Sequence, residues 1–311
     1  MRKYFHYTAT ALFTIGFLVL SFISEGNYLS TRTREKSDRI VIRDNFSNIE
    51  LKYDGELQLS DDDTDIIGIA PGGYFRISKT SFGNKRSILI ESDGDGNLTK
   101  KYFEGRTELS YNPSGREWLA DVLPEIVRAS DLAAEQRVHR IYSKLGTDGV
   151  IQEIREIDSD YISAIYYNHL LGLEELNSQE LQKIARSVGS DLDSDFESAK
   201  VLVKNYNVFK DDPIASTAYF GALMDMDSDF ERAKVITNVS EESIFTHENI
   251  VQITQVLLDM DSDFEISKSI KAISENQTLN EGSLNALLEV VIDMDSDFER
   301  SKSVKFLTTD Q

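Results

Sequence analysis

The stretch that decides the fold is "DMDSDFER", which stands at residues 225–232 and again, letter for letter, at 293–300. Near copies begin at Asp191, with "DLDSDFES", and at Asp259, with "DMDSDFEI". A period near 34 residues is typical of a helix-turn-helix unit that stacks on copies of itself. The sequence therefore predicts an α-solenoid with HEAT-like or tetratricopeptide-like units, which begin near residues 130, 159, 194, 228, 262 and 296.

The letters of each copy favour a helix start. A serine stands three residues before a glutamate, directly ahead of apolar residues at helical spacing. In a capping box, the serine hydroxyl accepts from the third helical amide, and the glutamate side chain accepts from the serine amide. Flanking aspartates suit the positive end of the helix dipole. The predicted cap pairs are Ser194 and Glu197, Ser228 and Glu231, Ser262 and Glu265, and Ser296 and Glu299.

The alternative interpretation of the same letters is cation binding. Asp225, Asp227 and Asp229 match the opening of a calcium-binding EF-hand loop, whose ligands include positions 1, 3 and 5. Phe230 then stands where that loop needs glycine, and Ile236 where it needs glutamate. Capping is therefore favoured, and no metal or other cofactor is predicted. The candidate ligands of the alternative are Asp225, Asp227, Asp229, Asp259, Asp261, Asp263, Asp293, Asp295 and Asp297.

Apolar spacing predicts the buried faces of the two helices in each unit. Asn177 three residues before Glu180, and Asp212 before Pro213, indicate starts of second helices. In the unit at 228, the second helix presents an apolar stripe from Ile250 to Met260. The predicted buried face of the first helices comprises Phe196, Phe230, Phe264 and Phe298, with Leu202, Ile236, Ile270 and Val304.

Residues 39–112 have a different texture, in which short alternating runs such as "NIELKYD" are separated by Asp-Gly, Gly-Gly and Gly-Asn turns. This pattern predicts an antiparallel β domain of six or seven strands. The acidic stretch "SDDDTD" at 60–65 is interpreted as a solvated loop. The predicted fold class is therefore α+β, with helical repeats over residues 113–311.

The N-terminus predicts export. Residues 1–26 combine Arg2 and Lys3 with an apolar run up to Ile23, which is typical of a signal peptide or a short transmembrane signal anchor. Residues 27–38 are interpreted as a polar linker. The predicted location is the bacterial cell envelope, either in the periplasm or anchored in the inner membrane.

Charge and composition restrict the function. The net charge is -21, and residues 151–311 hold 32 Asp plus Glu against 13 Lys plus Arg. Such a field repels nucleic acid and favours basic partners. The absence of cysteine excludes disulfides and thiolate chemistry. No H-E-x-x-H, P-loop, G-x-G-x-x-G or G-x-S-x-G motif is present. The prediction is a protein without catalytic activity; an enzyme with an unrecognised carboxylate site is a further alternative.

The order of "YDGELQLSDDDTDIIGIAPGGYFRI", "REWLADVLPEIVR" and units with "SDFE" resembles a set of uncharacterised exported bacterial proteins. Similar regions resemble the extracytoplasmic tails of membrane metallopeptidases of the beta-lactam-sensor type. The resemblance implies an architecture over most of residues 46–311 but no activity, since the peptidase part is absent. The functional prediction is an exported scaffold or sensor module that binds a protein or peptide partner, basic in charge, through its helical repeats.

Overall fold

The computed structural model describes residues 31–34, 38–43, 47–174 and 176–309. The protein has the predicted α+β class, since an antiparallel sheet in the N-terminal region is followed by helices. The described residues divide into two compact units: those up to Glu56 together with Gly68–Glu117, and Leu57–Ile67 together with those from Trp118 onward. We call them the sheet unit and the helical unit.

The predictions for the N-terminus meet the structure only in part. The predicted signal peptide or signal anchor, residues 1–26, lies outside the described residues. Within the described part of the chain, no helix has the length and apolar character needed to cross a membrane. Residues 31–34, assigned above to a linker, instead form a strand that pairs with residues 38–43. Thr31 and Thr33 are β-branched and favour this extended backbone.

Nine strands occur in the described residues. Seven form one antiparallel sheet in the order β1-β2-β3-β6-β7-β8-β9, and β4 and β5 form a second sheet. The strands are β1 (Thr31–Arg34), β2 (Asp38–Arg43), β3 (Ser47–Asp54), β4 (Leu57–Leu59), β5 (Ile66–Ile69), β6 (Tyr74–Ser81), β7 (Asn84–Ser92), β8 (Leu98–Glu104) and β9 (Thr107–Leu109).

One face of the larger sheet is buried through a cross-strand row. Ile40 pairs with Leu51, Leu51 with Ile77, Ile77 with Ile88, and Ile88 with Tyr102. All five side chains are at most 2% exposed. Because side chains alternate between the two faces of a strand, this single register places the apolar residues of five strands together.

Eleven α-helices lie in the described residues. Helix α2 is broken at Gly146, whose φ of 64° and ψ of -165° suit glycine alone. A short 3₁₀ helix, Ala222–Asp225, continues α6. The helices are α1 (Arg116–Arg128), α2 (Ala134–Ile154), α3 (Asp160–Leu171), α4 (Ser178–Asp191), α5 (Asp195–Phe209), α6 (Pro213–Gly221), α7 (Asp229–Glu242), α8 (His247–Leu258), α9 (Asp263–Asn276), α10 (Glu281–Asp293) and α11 (Asp297–Thr309).

From α3 onward, each helix packs against the helix two positions later. The odd-numbered helices α3, α5, α7, α9 and α11 make one such series, and α4, α6, α8 and α10 make the other. The predicted start signals are confirmed: Asn177 closes a capping box with Glu180, and Asp212 caps α6 with Pro213 in the first turn. The predicted core positions Leu202, Ile236 and Ile270 are fully buried, whereas the equivalent Val304 of the last helix is 40% exposed, so the prediction for Val304 is wrong.

An aromatic cluster fills the junction of α5, α6 and the end of α7. The Tyr219 ring lies 5.1 Å from that of Tyr206, 5.3 Å from that of Phe209 and 5.2 Å from that of Phe220. The Tyr206 hydroxyl bonds the Ser243 hydroxyl at 2.7 Å. The Tyr219 hydroxyl is buried and finds no partner among the described residues.

We expect Tyr219→Phe to stabilise the protein by about 1 kcal/mol, because it removes a buried polar group that makes no hydrogen bond. Tyr206→Phe is the matched control and should destabilise the protein by about 1 kcal/mol, since it breaks the bond to Ser243. Urea unfolding of both variants measures the two changes. A loss of stability in Tyr219→Phe similar to that in Tyr206→Phe would contradict this account.

Candidate functional site: the repeat edge

The Asp-Ser-Asp triplets lie where the odd-numbered helices begin, and we call this set of helix starts the repeat edge. Each serine is the residue just before the helix, and its hydroxyl accepts from the amide of the glutamate three residues later. These bonds join Ser194 to Glu197, Ser228 to Glu231 and Ser262 to Glu265, each at 3.4 Å, and Ser296 to Glu299 at 3.3 Å. The serine half of the expected capping box is therefore present.

The other half of the capping box is replaced by a contact between units. In none of these four described units does the serine amide donate to the glutamate of its own motif. Each serine amide donates instead to the aspartate at the first position of the preceding odd-numbered helix. The four bonds join Ser194 N to Asp160 Oδ2 at 2.7 Å, Ser228 N to Asp195 at 2.6 Å, Ser262 N to Asp229 at 2.8 Å, and Ser296 N to Asp263 at 2.6 Å. We call them the staple bonds.

The glutamates displaced from the caps pair with lysines on the same helix. Each lysine follows its glutamate by three residues, a spacing that places both side chains on one helix face. The carboxylates are 10–12% exposed, so the lysines neutralise charges that are largely removed from water. The pairs are Glu197 with Lys200 at 2.8 Å, Glu231 with Lys234 at 2.7 Å, and Glu265 with Lys268 and Glu299 with Lys302, both at 3.1 Å.

The phenylalanines of the motif are exposed, so the prediction that they lie in the core is wrong. Phe196 is four residues before Lys200 and shares its helix face, whereas Leu202 points into the core. Together with Tyr161 they form one row, which we call the aromatic ladder. The exposed fractions are 38% for Tyr161, 51% for Phe196, 54% for Phe230, 57% for Phe264 and 73% for Phe298.

Lysines connect successive rungs of the aromatic ladder. Each lies over the ring of the preceding unit, an arrangement worth about 0.5–1 kcal/mol at an exposed site. The distances from Nζ to the ring centroid are 5.7 Å for Lys200 and Tyr161, 4.9 Å for Lys234 and Phe196, 5.1 Å for Lys268 and Phe230, and 5.6 Å for Lys302 and Phe264. The ring of Phe298 has no such lysine among the described residues.

The candidate cation ligands lie in two different environments. Asp229 and Asp263 are half-buried and bond backbone amides of the next unit. Within the described ranges, no three His, Asp or Glu side chains are grouped in a way that would hold a metal ion. The remaining candidates are exposed: Asp225, Asp227, Asp259, Asp261, Asp293, Asp295 and Asp297.

The enzyme alternative requires a carboxyl group in an unusual environment, and Asp160 is a half-buried carboxyl whose pKa is raised. Burial raises the pKa of Asp160, and the charges of Asp193 and Glu197 act in the same direction, while the staple bond from Ser194 opposes them. Its oxygen accepts from a backbone amide at 2.7 Å. The raised pKa thus accompanies a contact between helices α3 and α5.

A buried ion network in the helical unit was not predicted. Arg137 is 3% exposed at its side chain; its Nε donates to Asp63 at 2.9 Å and its Nη2 to Glu153 at 2.7 Å. Arg137 also donates to the Tyr166 hydroxyl, and Arg140 to Asp63. The "SDDDTD" loop is therefore not merely solvated, because Asp63 is buried and paired. No local pattern connects residues 74 positions apart in the sequence.

The pKa of Glu153 depends on the arginines of this network. Burial alone would raise the pKa of Glu153, but hydrogen bonds and charges from Arg128 and Arg137 lower it overall. The carboxylate therefore contributes stability that is present above its unfolded-state pKa and is lost as the pH falls through its folded-state pKa.

Two identical copies of the repeated motif allow a test of the staple bonds. Asp229→Ala removes the acceptor of the Ser262 amide and should destabilise the protein by about 2 kcal/mol, since it leaves a partly buried donor without a partner. Asp297→Ala changes the same position of an identical eight-residue stretch, where the carboxylate is exposed and its partner among the described residues is Arg300. That control should cost about 0.5 kcal/mol or less. Equal losses in urea unfolding would contradict the staple role of Asp229.

The buried network generates a second test. Arg137→Met leaves Asp63 and Glu153 with fewer partners in a buried place, so we expect a loss of about 3 kcal/mol. The stability of this variant should also fall less steeply as the pH drops below the ordinary pKa of a glutamate, because Arg137 no longer lowers the pKa of Glu153. Lys183→Met is the control: it breaks the exposed pair with Asp148 and should cost about 0.5 kcal/mol. An Arg137→Met variant as stable as this control would contradict the account.

Comparison of the chain with protein-family models, with curated proteins and with solved structures gives no match. The likeness to exported bacterial repeat proteins therefore stays a prediction.

Proposed function

We propose that this protein is an exported scaffold or sensor module without catalytic activity, which binds a basic protein segment along its repeat edge. The observation that carries the proposal is the aromatic ladder. One aromatic side chain stands at the same place in five successive units and stays 38–73% exposed. Exposed apolar surface that repeats in register is typical of a protein-binding surface.

The helical unit supports the proposal as an α-solenoid. Odd-numbered helices pack on odd-numbered helices, even on even, and a staple bond joins each unit to the next. A stack of this kind presents equivalent side chains at regular intervals along one surface. A partner that lies across the stack contacts one ring in each unit, so each further unit adds one ring to the interface.

The charge of the repeat edge supports a basic partner. The ladder lysines are already paired with glutamates, so they add little net charge. In the α5, α7 and α9 units, an exposed aspartate precedes the ladder phenylalanine by three residues: Asp193, Asp227 or Asp261. Lysine and arginine side chains bind both carboxylates and aromatic faces. Export is supported by the apolar N-terminal segment.

We expect a variant with Phe196, Phe230 and Phe264 all changed to Ser to lose the partner while keeping its fold, because these rings are exposed. The measurement is quantitative recovery of partners from envelope extracts on immobilised protein, followed by titration of the recovered partner. Affinity should fall by at least tenfold.

The matched control changes Ile244 and Ile292 to Ser. These side chains are 73% and 76% exposed but lie outside the aromatic ladder. The proposal expects this variant to bind like the wild type. Equal losses in both variants would point to general apolar adhesion, and a partner retained by the ladder variant would overturn the proposal.

A further inference from the structure

A second surface of the helical unit has a different chemistry. An open groove of about 380 Å³ lies on the even-numbered helices α4, α6 and α8. Its volume falls within the range of about 300–1,000 Å³ that is usual for ligand sites. None of the residues that line it belongs to the aromatic ladder. This groove is thus independent of the surface proposed above.

Polar side chains at equivalent places of three successive units line the groove. Gln182, Thr217 and Gln252 are separated by 35 residues each and lie on α4, α6 and α8. The two glutamine amides make no hydrogen bond within the described part of the chain. Each offers two donor hydrogens and an acceptor oxygen, which is the complement of a peptide group.

The spacing of these rungs matches an extended chain. Packed helices lie about 8–10 Å apart, and an extended peptide advances about 3.3 Å per residue. A peptide laid across the groove therefore advances about three residues from one helix to the next. Gln182 and Gln252 can then meet peptide groups about six residues apart.

Two charged side chains of opposite sign line the groove, Arg186 and Asp225, and they form no ion pair with each other in the described residues. Arg186 lines the groove one turn after Gln182, is exposed, and has no carboxylate within ion-pair distance in the described residues. Most basic side chains of the repeats are paired within the chain, as Lys200 and Lys234 are. An unpaired guanidinium in an acidic domain suits a carboxylate, which it binds through two parallel hydrogen bonds.

Gly221 is one of the residues that line the groove. Gly221 ends α6, and a Cβ added there would meet no atom within 4 Å. Its φ of -59° and ψ of -33° are helical, so any ordinary residue fits this backbone. Because Gly221 lines the groove and has open space where a Cβ would stand, we expect a leucine at this position to extend into the groove without a clash inside the protein.

From these observations we infer that the groove on α4, α6 and α8 binds an extended peptide segment, whose main chain pairs with Gln182 and Gln252 and whose acidic side chain pairs with Arg186. This site is separate from the aromatic ladder, and the feature of the peptide that it recognises is one acidic position beside Arg186. The protein thereby holds two segments on two sets of helices.

The test uses a displayed library of random twelve-residue peptides selected on the full chain. Wild-type protein should enrich peptides with a shared acidic position, and fluorescence titration should show at least tenfold weaker binding to Gly221→Leu and to Arg186→Gln. The matched controls are Asn207→Leu, at an exposed position of α5, and Lys204→Gln, which removes an exposed charge outside the groove. Both should bind like the wild type.

Three results would overturn the inference: no peptide enriched on wild type over Gly221→Leu, enriched peptides without an acidic position, or equal affinity for Arg186→Gln. The triple phenylalanine variant separates the two sites. It should keep these peptides while it loses the basic partner, so failure of either proposal leaves the other measurable. Circular dichroism melting of Gly221→Leu should match or exceed that of wild type, since a helical glycine is replaced.

Discussion

The bond from a serine amide to the aspartate of the preceding unit is the contact on which the helical unit depends. Its acceptor is a carboxylate at the first position of one helix, and its donor is the residue before the next odd-numbered helix. A charge-assisted bond of this kind is about twice as strong as a neutral one. Since each aspartate serves the following unit, the bond sets the relation of one helix start to the next.

The surface chemistry follows from this arrangement. Because the serine amide is already occupied, the glutamate three residues later is released to pair with a lysine. That lysine extends over the aromatic ring of the preceding unit, as Lys234 does over Phe196. The ring is thereby supported at the surface instead of being drawn into the core. A cap, an ion pair and a ring contact thus form one connected set, repeated along the repeat edge.

Much of this structure could be predicted from the sequence because its causes are local. The 34-residue period, the helix starts at Asn177 and Asp212, and the buried Leu202 and Ile236 all depend on residues within a turn or two of one another. The exposure of Phe196 was missed because an apolar residue near a helical stripe is usually buried. Its position beside Lys200, on the flank of the stripe, was the signal available in the sequence.

Contacts between distant residues could not be predicted in the same way. Asp63 meets Arg137 across 74 positions, and the staple bond joins Asp229 to Ser262 across 33. In the second case the repeated motif contains both the aspartate and the serine, but the two residues were predicted to act at the start of a single helix. The residues of one motif can therefore bond to two different units, because each serine amide donates to the acceptor that lies nearest to it.

The most direct test of the central contact is amide hydrogen exchange measured by NMR at Ser194, Ser228, Ser262 and Ser296. The account predicts strong protection at all four amides, because each donates to a carboxylate of the preceding unit. The amide of Ser159, which begins the first of these units and has no such carboxylate among the described residues, should exchange much faster. Exchange at the four serines as fast as at Ser159 would contradict the account.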